Sequence, residues 1–322
     1  MFKGRFSRNF YLKYRYIFFK KFIKPTKFGK PTWEENFNNP SFKIEHDDFY
    51  AGHSYIDKEC VLVKDNMLYL KVIPTNKNYT RWGETQFCNW RIGKVSYQNL
   101  FEHVSYGTWS FEVKIPKGSF AALWFLRYSH PPVEMQFENE IKMLDGKKLY
   151  LSYKPKHNPS INWWLLDNDG NILSRIESYD INNNMILLKE EISYTGKDIK
   201  ISSDHIVPEV DLMELMRDNR VRHTIHHGFV VGEYRKYDNG TTISRINHDK
   251  FYEFTLKVLK DRYEFYIDGI KTCEYDVGLY DKPLYPILNN AVHINNFKDG
   301  VSDFIVKSIK YYKHDEYGNI NY

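Results

Sequence analysis

Glu134, Gln136 and Glu138 are the residues of this chain best suited by type and spacing to do chemistry. They alternate with Val133, Met135 and Phe137 behind Pro131-Pro132. Successive side chains of a β-strand point to opposite faces, so the two glutamates and the glutamine share one face and the apolar residues the other. Two carboxylates projecting from one strand can cleave a glycosidic bond. One attacks or stabilises the sugar while the other shuttles a proton. A solvated strand face is the plain alternative for such a segment taken alone.

Spacing sets a condition on that chemistry. Cα atoms four residues apart lie about 13 Å apart along a strand, whereas retaining glycosidases hold their carboxyl groups about 5–5.5 Å apart. A strand that curves, with both long side chains leaning inward, closes the gap. A flat strand does not.

The elements that must position these residues read as strands. Glu59-Cys60-Val61-Leu62-Val63 and Met67 to Val72 flank a Lys64-Asp65-Asn66 turn, a hairpin signal. Tyr106 to Pro116 alternates and stops at a proline, and Ala121 to Leu126 is short and apolar enough for a buried strand. Phe251 to Val258, Tyr263 to Ile267 (closed by Asp268-Gly269) and Phe304 to Tyr312 complete the pattern. Helical periodicity is expected only near Val210 to Arg217, where Pro208 would start a short helix. Many short strands with almost no helix predict an all-β sandwich or barrel.

The chain of 322 residues exceeds the roughly 200–250 of a large single sandwich. The expectation is one domain over 31–315, with an insertion or long loops at about 147–222, a basic aromatic arm over 1–30 and a tail at 316–322. Aromatics make up 17% of the residues. They suit strands and sandwich cores, and flat rings also stack on sugar faces. The 46 basic and 41 acidic residues are mixed along the body, which excludes a nucleic-acid stripe. Cys60, Cys88 and Cys273 have no metal-ligand spacing and allow at most one bridge. No cofactor is called for. Asp and Asn are plentiful, but no loop has EF-hand spacing to support a structural calcium ion.

Residues 1–25 carry eight basic side chains and no acidic one, interleaved with Phe and Tyr. The longest apolar run there, Tyr16 to Phe19, is too short for a secretory signal or a membrane span. The arm reads either as a docking element for a partner protein or an anionic surface, or as a partly ordered tail.

Three pieces in order carry a resemblance: Tyr106-Gly107-Thr108-Trp109-Ser110-Phe111-Glu112-Val113-Lys114-Ile115-Pro116, then Ala122-Leu123-Trp124, then the Pro131 to Glu138 segment. Together with Phe265-Tyr266-Ile267-Asp268-Gly269 and Pro286 to Val292, they resemble family 16 glycoside hydrolases over roughly 31–312. The resemblance implies a concanavalin A-like jelly roll of two curved antiparallel sheets, a sugar cleft, and retaining endo-hydrolysis of a β-linked glucan or galactan. It makes Glu134 the nucleophile and Glu138 the general acid/base, with Gln136 standing where the family has an assisting aspartate. A glutamine brings no charge and relays no proton, which predicts slow hydrolysis or a lower pH optimum. A second register sets Glu140-Ile141-Lys142-Met143-Leu144-Asp145 against the family's bulged form, Glu-x-Asp-x-x-Glu, with Lys142 at its centre.

Trp82, Trp90, Trp109, Trp124, Trp163 and Trp164 are candidates for stacking on sugar, with Trp124 either flooring the cleft or packing in the core. Of the neighbours Trp163 and Trp164, a strand exposes one. His226 and His227 either reach the cleft or serve structure. Two other functions stay open: a carbohydrate-binding protein that no longer cuts, and a virion or surface component using the sandwich for display.

Overall fold

The computed structural model describes residues 3–50, 53–81, 84–98, 100, 106–127, 134–135, 141–151, 163–166, 172–180, 182–183, 185–193, 200–203, 209–216, 220–230, 233–243, 246–275, 284–292 and 301–319. The alternating segments form strands as their periodicity requires. Val61–Lys64 and Met67–Leu70 pair antiparallel, and their turn is Asp65-Asn66 with both residues at positive φ (52° and 56°). Asx residues tolerate that region, and two in succession give a tight hairpin turn.

Two large sheets carry the main body. The eight-stranded sheet runs Ile270–Tyr275, Tyr263–Ile267, Phe251–Val258, Gly107–Lys114, Phe304–Tyr312, Met67–Leu70, Val61–Lys64, with Trp33–Glu35 pairing beside Phe304–Tyr312. The ten-stranded sheet has Glu233–Ile243, Val221–Val230, Glu209–Leu215, Phe120–Arg127, Leu284–Ala291 and Glu84–Ser96 as successive neighbours, ending in Ser54–Ile56 and Asp48–Tyr50. Between them lies one apolar cluster, with Trp109, Phe111, Val113, Phe254, Leu256, Phe265, Phe304 and Ile309 from the first sheet. Ala121, Leu123, Phe125, Val210, Leu212, Met213, Val221, Ile225 and Leu288 come from the second. This is the two-layer sandwich expected from the strand pattern.

The chain divides into two compact units, one made of Met1–Tyr128, Val210–Ile225 and Asp238–Tyr322, the other of Ser129–Glu209 and His226–Tyr237. The second contains a seven-stranded sheet in the order Glu134–Met135, Lys200–Ser203, Trp163–Leu166, Ile172–Asp180, Met185–Leu188, Lys148–Leu151, Ile141–Asp145.

Two helix expectations are corrected. Glu209–Leu215 is a strand, where a short helix was predicted over Val210 to Arg217. The long helix is instead Lys3–Phe19, inside the arm. Its inner face fixes it: Leu12 and Tyr16, one turn apart, are buried, and Tyr16 belongs to the main core. The helix packs on Ile270–Tyr275, and the following chain is tied down by the Thr26 N–H donating to the Gly269 carbonyl at 2.8 Å.

Gly93 is a close-approach position. A Cβ there would lie 2.4 Å from the Cys60 carbonyl oxygen and 3.3 Å from the Leu70 Cα, both backbone. Backbone cannot swing aside as a side chain can. Gly93→Ala is therefore expected to destabilise by about 1–3 kcal/mol, read as a lower urea midpoint at unchanged m value. Cys60, Cys88 and Cys273 are all buried and unbridged. Burial pushes the Cys60 thiol up to about 12, so it is chemically inert near neutrality.

Candidate active site

The strand Phe120–Arg127 positions the site. Its odd residues, Ala121, Leu123 and Phe125, are buried in the core, so Ala122 and Trp124 look out of the other face of the ten-stranded sheet. Its hydrogen-bonded neighbours are Leu284–Ala291 on one side and Glu209–Leu215 on the other.

That second neighbour reads Glu209-Val210-Asp211-Leu212-Met213-Glu214-Leu215. Glu209 and Asp211 are two residues apart and share a face. Glu214 is three beyond Asp211 and in a regular strand would point the opposite way. A β-bulge corrects this. Trp124 pairs with Asp211 and Leu123 with Met213, which leaves Leu212 as the extra residue, and Ala122 then pairs with Glu214. Leu212 and Met213 both enter the core as a result. Asp211 and Glu214 therefore stand opposite Trp124 and Ala122, on the same outward face, and Glu209 joins them.

Neighbouring side chains hold this face in order. The Thr224 hydroxyl, on Val221–Val230, donates to Glu214 Oε2 at 2.8 Å and fixes that carboxylate. The Trp124 indole N–H donates to Asn289 Oδ1 at 2.8 Å, and Lys94 Nζ lies 5.4 Å from the centre of its ring. Trp124 is half-buried while Asn289 is fully buried, so the indole is anchored at one end and open at the other. Asp211 is 3% exposed, and Glu209 and Glu214 on the same strand are half-buried.

From beneath, His223 holds the bulge. Its ring is completely buried in the core, and its Nδ1 lies 2.5 Å from the carbonyl oxygen of Leu212, the bulged residue. Only an Nδ1–H can make that contact, and Nε2 lies 3.0 Å from Thr272 Oγ1, whose hydroxyl also reaches the Phe265 carbonyl at 3.2 Å. Thr272 lies on Ile270–Tyr275 of the opposite sheet. One imidazole thus braces the bulge against the far layer. Burial lowers its pKa to about 4, which keeps it neutral and in the tautomer this bond needs.

The residues singled out from sequence fall elsewhere. Glu134 lies in the seven-stranded sheet, paired with Ser202, which pairs in turn with Trp164 and places the three in one cross-strand row. It is not on either hydrogen-bonded neighbour of the Trp124 strand. Gln136 and Glu138 lie outside the described residues. In the second register, Ile141–Asp145 belongs to that same sheet, and Asp145 accepts from the Lys147 N–H at 2.9 Å as a turn residue. Trp109 is corrected to a core residue: it is 3% exposed and packs against Tyr311 and Phe125 at 4.8 and 6.1 Å. Trp163 lies beside Trp164 on Trp163–Leu166, Trp90 lines a small second cluster with Ile56 and Ile92, and Trp82 is outside the described residues. His226 is two residues beyond Thr224 on the same strand. Of the two places open to Trp124, cleft floor or core, it takes the outward face of the sheet.

Glu209, Asp211 and Glu214 were missed although their segment reads Glu-x-Asp-x-x-Glu without substitution, the bulged form sought at Glu140 to Asp145. Among the described residues no group of three or more His, Cys, Asp or Glu side chains is arranged to hold a metal ion.

No family model and no curated protein matches the chain. Solved structures do. The laminarinase catalytic domain from Thermotoga maritima MSB8 superposes with a TM-score of 0.52 at 15% identity, over 89% of this chain and 98% of that one. The endo-β-1,3-glucanase from Pyrococcus furiosus gives 0.51 at 15%, over 88% and 93%. A glycoside hydrolase family 16 endo-glucanase from Bacteroides ovatus gives 0.52 at 13%, over 87% and 99%. The chain has the jelly-roll sandwich fold of family 16 glycoside hydrolases, as the ordered motifs implied.

Proposed function

We propose that this protein is an endo-acting β-glucan hydrolase that retains anomeric configuration. In this reading Glu209 is the nucleophile, Glu214 the general acid/base, and Asp211 the group between them. One observation carries it: the bulge at Leu212 brings Asp211 and Glu214 to the face that Glu209 and Trp124 occupy. The order of the three matches the family's Glu-x-Asp-x-x-Glu, which supports their separate roles. The similar structures are a laminarinase and endo-glucanases, which supports a β-glucan as substrate.

The steps follow from the groups present. The Glu209 carboxylate attacks the anomeric carbon while the bond from that carbon to the glycosidic oxygen breaks, and Glu214 gives its proton to the departing oxygen. Water then attacks the glycosyl ester, Glu214 takes its proton, and Glu209 is released. Asp211, buried between them, binds the nucleophile as a hydrogen-bond donor when protonated. Thr224 holds Glu214 in place through both steps. Trp124 offers the half-open ring on which a pyranose stacks. The non-cutting alternative rested on Gln136 at the centre of the site; in this reading Asp211 holds that place instead.

Hydrolysis of laminarin and mixed-linkage β-glucan, followed by proton NMR, tests the reading. Oligosaccharides should appear first as β-anomers and equilibrate afterwards. Initial α-anomers, release of glucose alone, or no cleavage of any β-glucan would overturn it.

A further inference from the structure

Helix Lys3–Phe19 has two faces, and only one is used by the fold. Leu12 and Tyr16 are buried against the main body. Roughly opposite them, at four-residue spacing, Phe10, Tyr14 and Phe18 are 61%, 45% and 50% exposed, and Phe19 and Phe22 follow at 56% and 85%. Such a density of open aromatic rings on one short segment is what soluble surfaces avoid. Residues 1–24 also hold Lys3, Arg5, Arg8, Lys13, Arg15, Lys20, Lys21 and Lys24 with no acidic side chain. The whole chain carries only +5, so this segment alone outweighs the net charge of the molecule.

We infer that this helix seats the protein on an anionic lipid bilayer, its aromatic ridge in the interface and its lysines and arginines on the headgroups. Charge complementarity calls for an anionic partner. The rings say which kind. Phe10 and Tyr14 lie 4.7 Å apart by their centres and Tyr14 and Phe18 5.0 Å, tilted against one another. Tyr14 lies between Phe10 and Phe18, and spacings this short leave no room for a base or a pyranose between the rings. What remains outward is a continuous apolar ridge flanked by cations, the pattern of a helix lying in a membrane interface. A second copy of the chain fits poorly, because two such faces would bring sixteen like charges together. The inward contacts of Leu12 and Tyr16, and the Thr26–Gly269 hydrogen bond, hold the helix on the body, so no refolding is needed to present the ridge.

Sedimentation of the full chain with extruded vesicles tests this. Vesicles with about three parts in ten phosphatidylserine at about 50 mM salt should carry most of the protein down, pure phosphatidylcholine should not, and about 500 mM salt should release it. A Phe10→Ser, Tyr14→Ser, Phe18→Ser variant, which spares Leu12 and Tyr16, should lose binding by roughly ten-fold or more, and Lys13→Gln, Lys21→Gln, Lys24→Gln likewise. Both should keep the far-UV spectrum and the laminarin activity of the parent. Failure to sediment, equal binding to neutral vesicles, or binding untouched by the aromatic variant would overturn the inference. So would capture by dextran sulfate or RNA, or self-association, with the anionic vesicles left bare.

Discussion

Glu214→Gln should lower kcat on laminarin by about 10²–10⁴-fold, the worth of a positioned general acid. The same variant should still release a stoichiometric burst of phenol from an aryl β-laminaribioside. A good leaving group departs without a proton, whereas the second step still lacks its base, and added azide should restore turnover by attacking without one. Glu209→Gln should show no burst on either substrate, because no glycosyl ester forms. Glu134→Gln, in the seven-stranded sheet, should behave as the parent. If Glu134→Gln abolished hydrolysis and Glu214→Gln did not, the catalytic pair would belong to residues 134–138 instead.

The second large effect is on stability in mild acid. Burial holds the His223 pKa at about 4 in the folded protein, against about 6.5 for an unfolded chain. Between those values the unfolded chain binds a proton that the folded one does not, so stability falls as pH drops through this window. The full contribution is present above pH 6.5, and about 3 kcal/mol of it is gone by pH 4. His314, also lowered by burial, acts with the same sign. Urea unfolding at pH 7.5 and 4.5 measures the loss, and His223→Gln, which keeps a donor and an acceptor but does not titrate, should flatten it. A wild-type curve no steeper than that of His223→Gln would show that the imidazole is charged in the fold. Because the ring braces Leu212, the weakening falls on the bulge that aligns Asp211 with Glu214.

Much of the fold was legible because most strands alternate cleanly. The Asp65-Asn66 hairpin, Gly107–Lys114, Phe120–Arg127 and Phe251–Val258 all lie where their patterns put them. The site was hidden by the device that makes it work. A bulge inserts one residue, so apolar positions 210, 212, 213 and 215 lose period two and imitate the three-residue spacing of a helix. Residues 133–138 alternate perfectly and drew the chemistry to themselves, although alternation shows only that a strand has two faces. The arm was opaque for a different reason. Its helix is fixed by burying Leu12 and Tyr16 on the body, a tertiary contact that local sequence does not display.

The place of the second unit in the chain bears on how the protein is made. The Trp124 strand has two hydrogen-bonded neighbours, Glu209–Leu215 and Leu284–Ala291, and both come later in sequence. On the order of 80 residues separate it from the first, so at about 5–20 residues per second a ribosome needs roughly 4–16 s to deliver that partner. During that interval Ala121, Leu123 and Phe125 have no sheet on either flank. The nascent chain carries this apolar strand without a sheet partner for that time, and the carboxylates meet their tryptophan only when the wait is over.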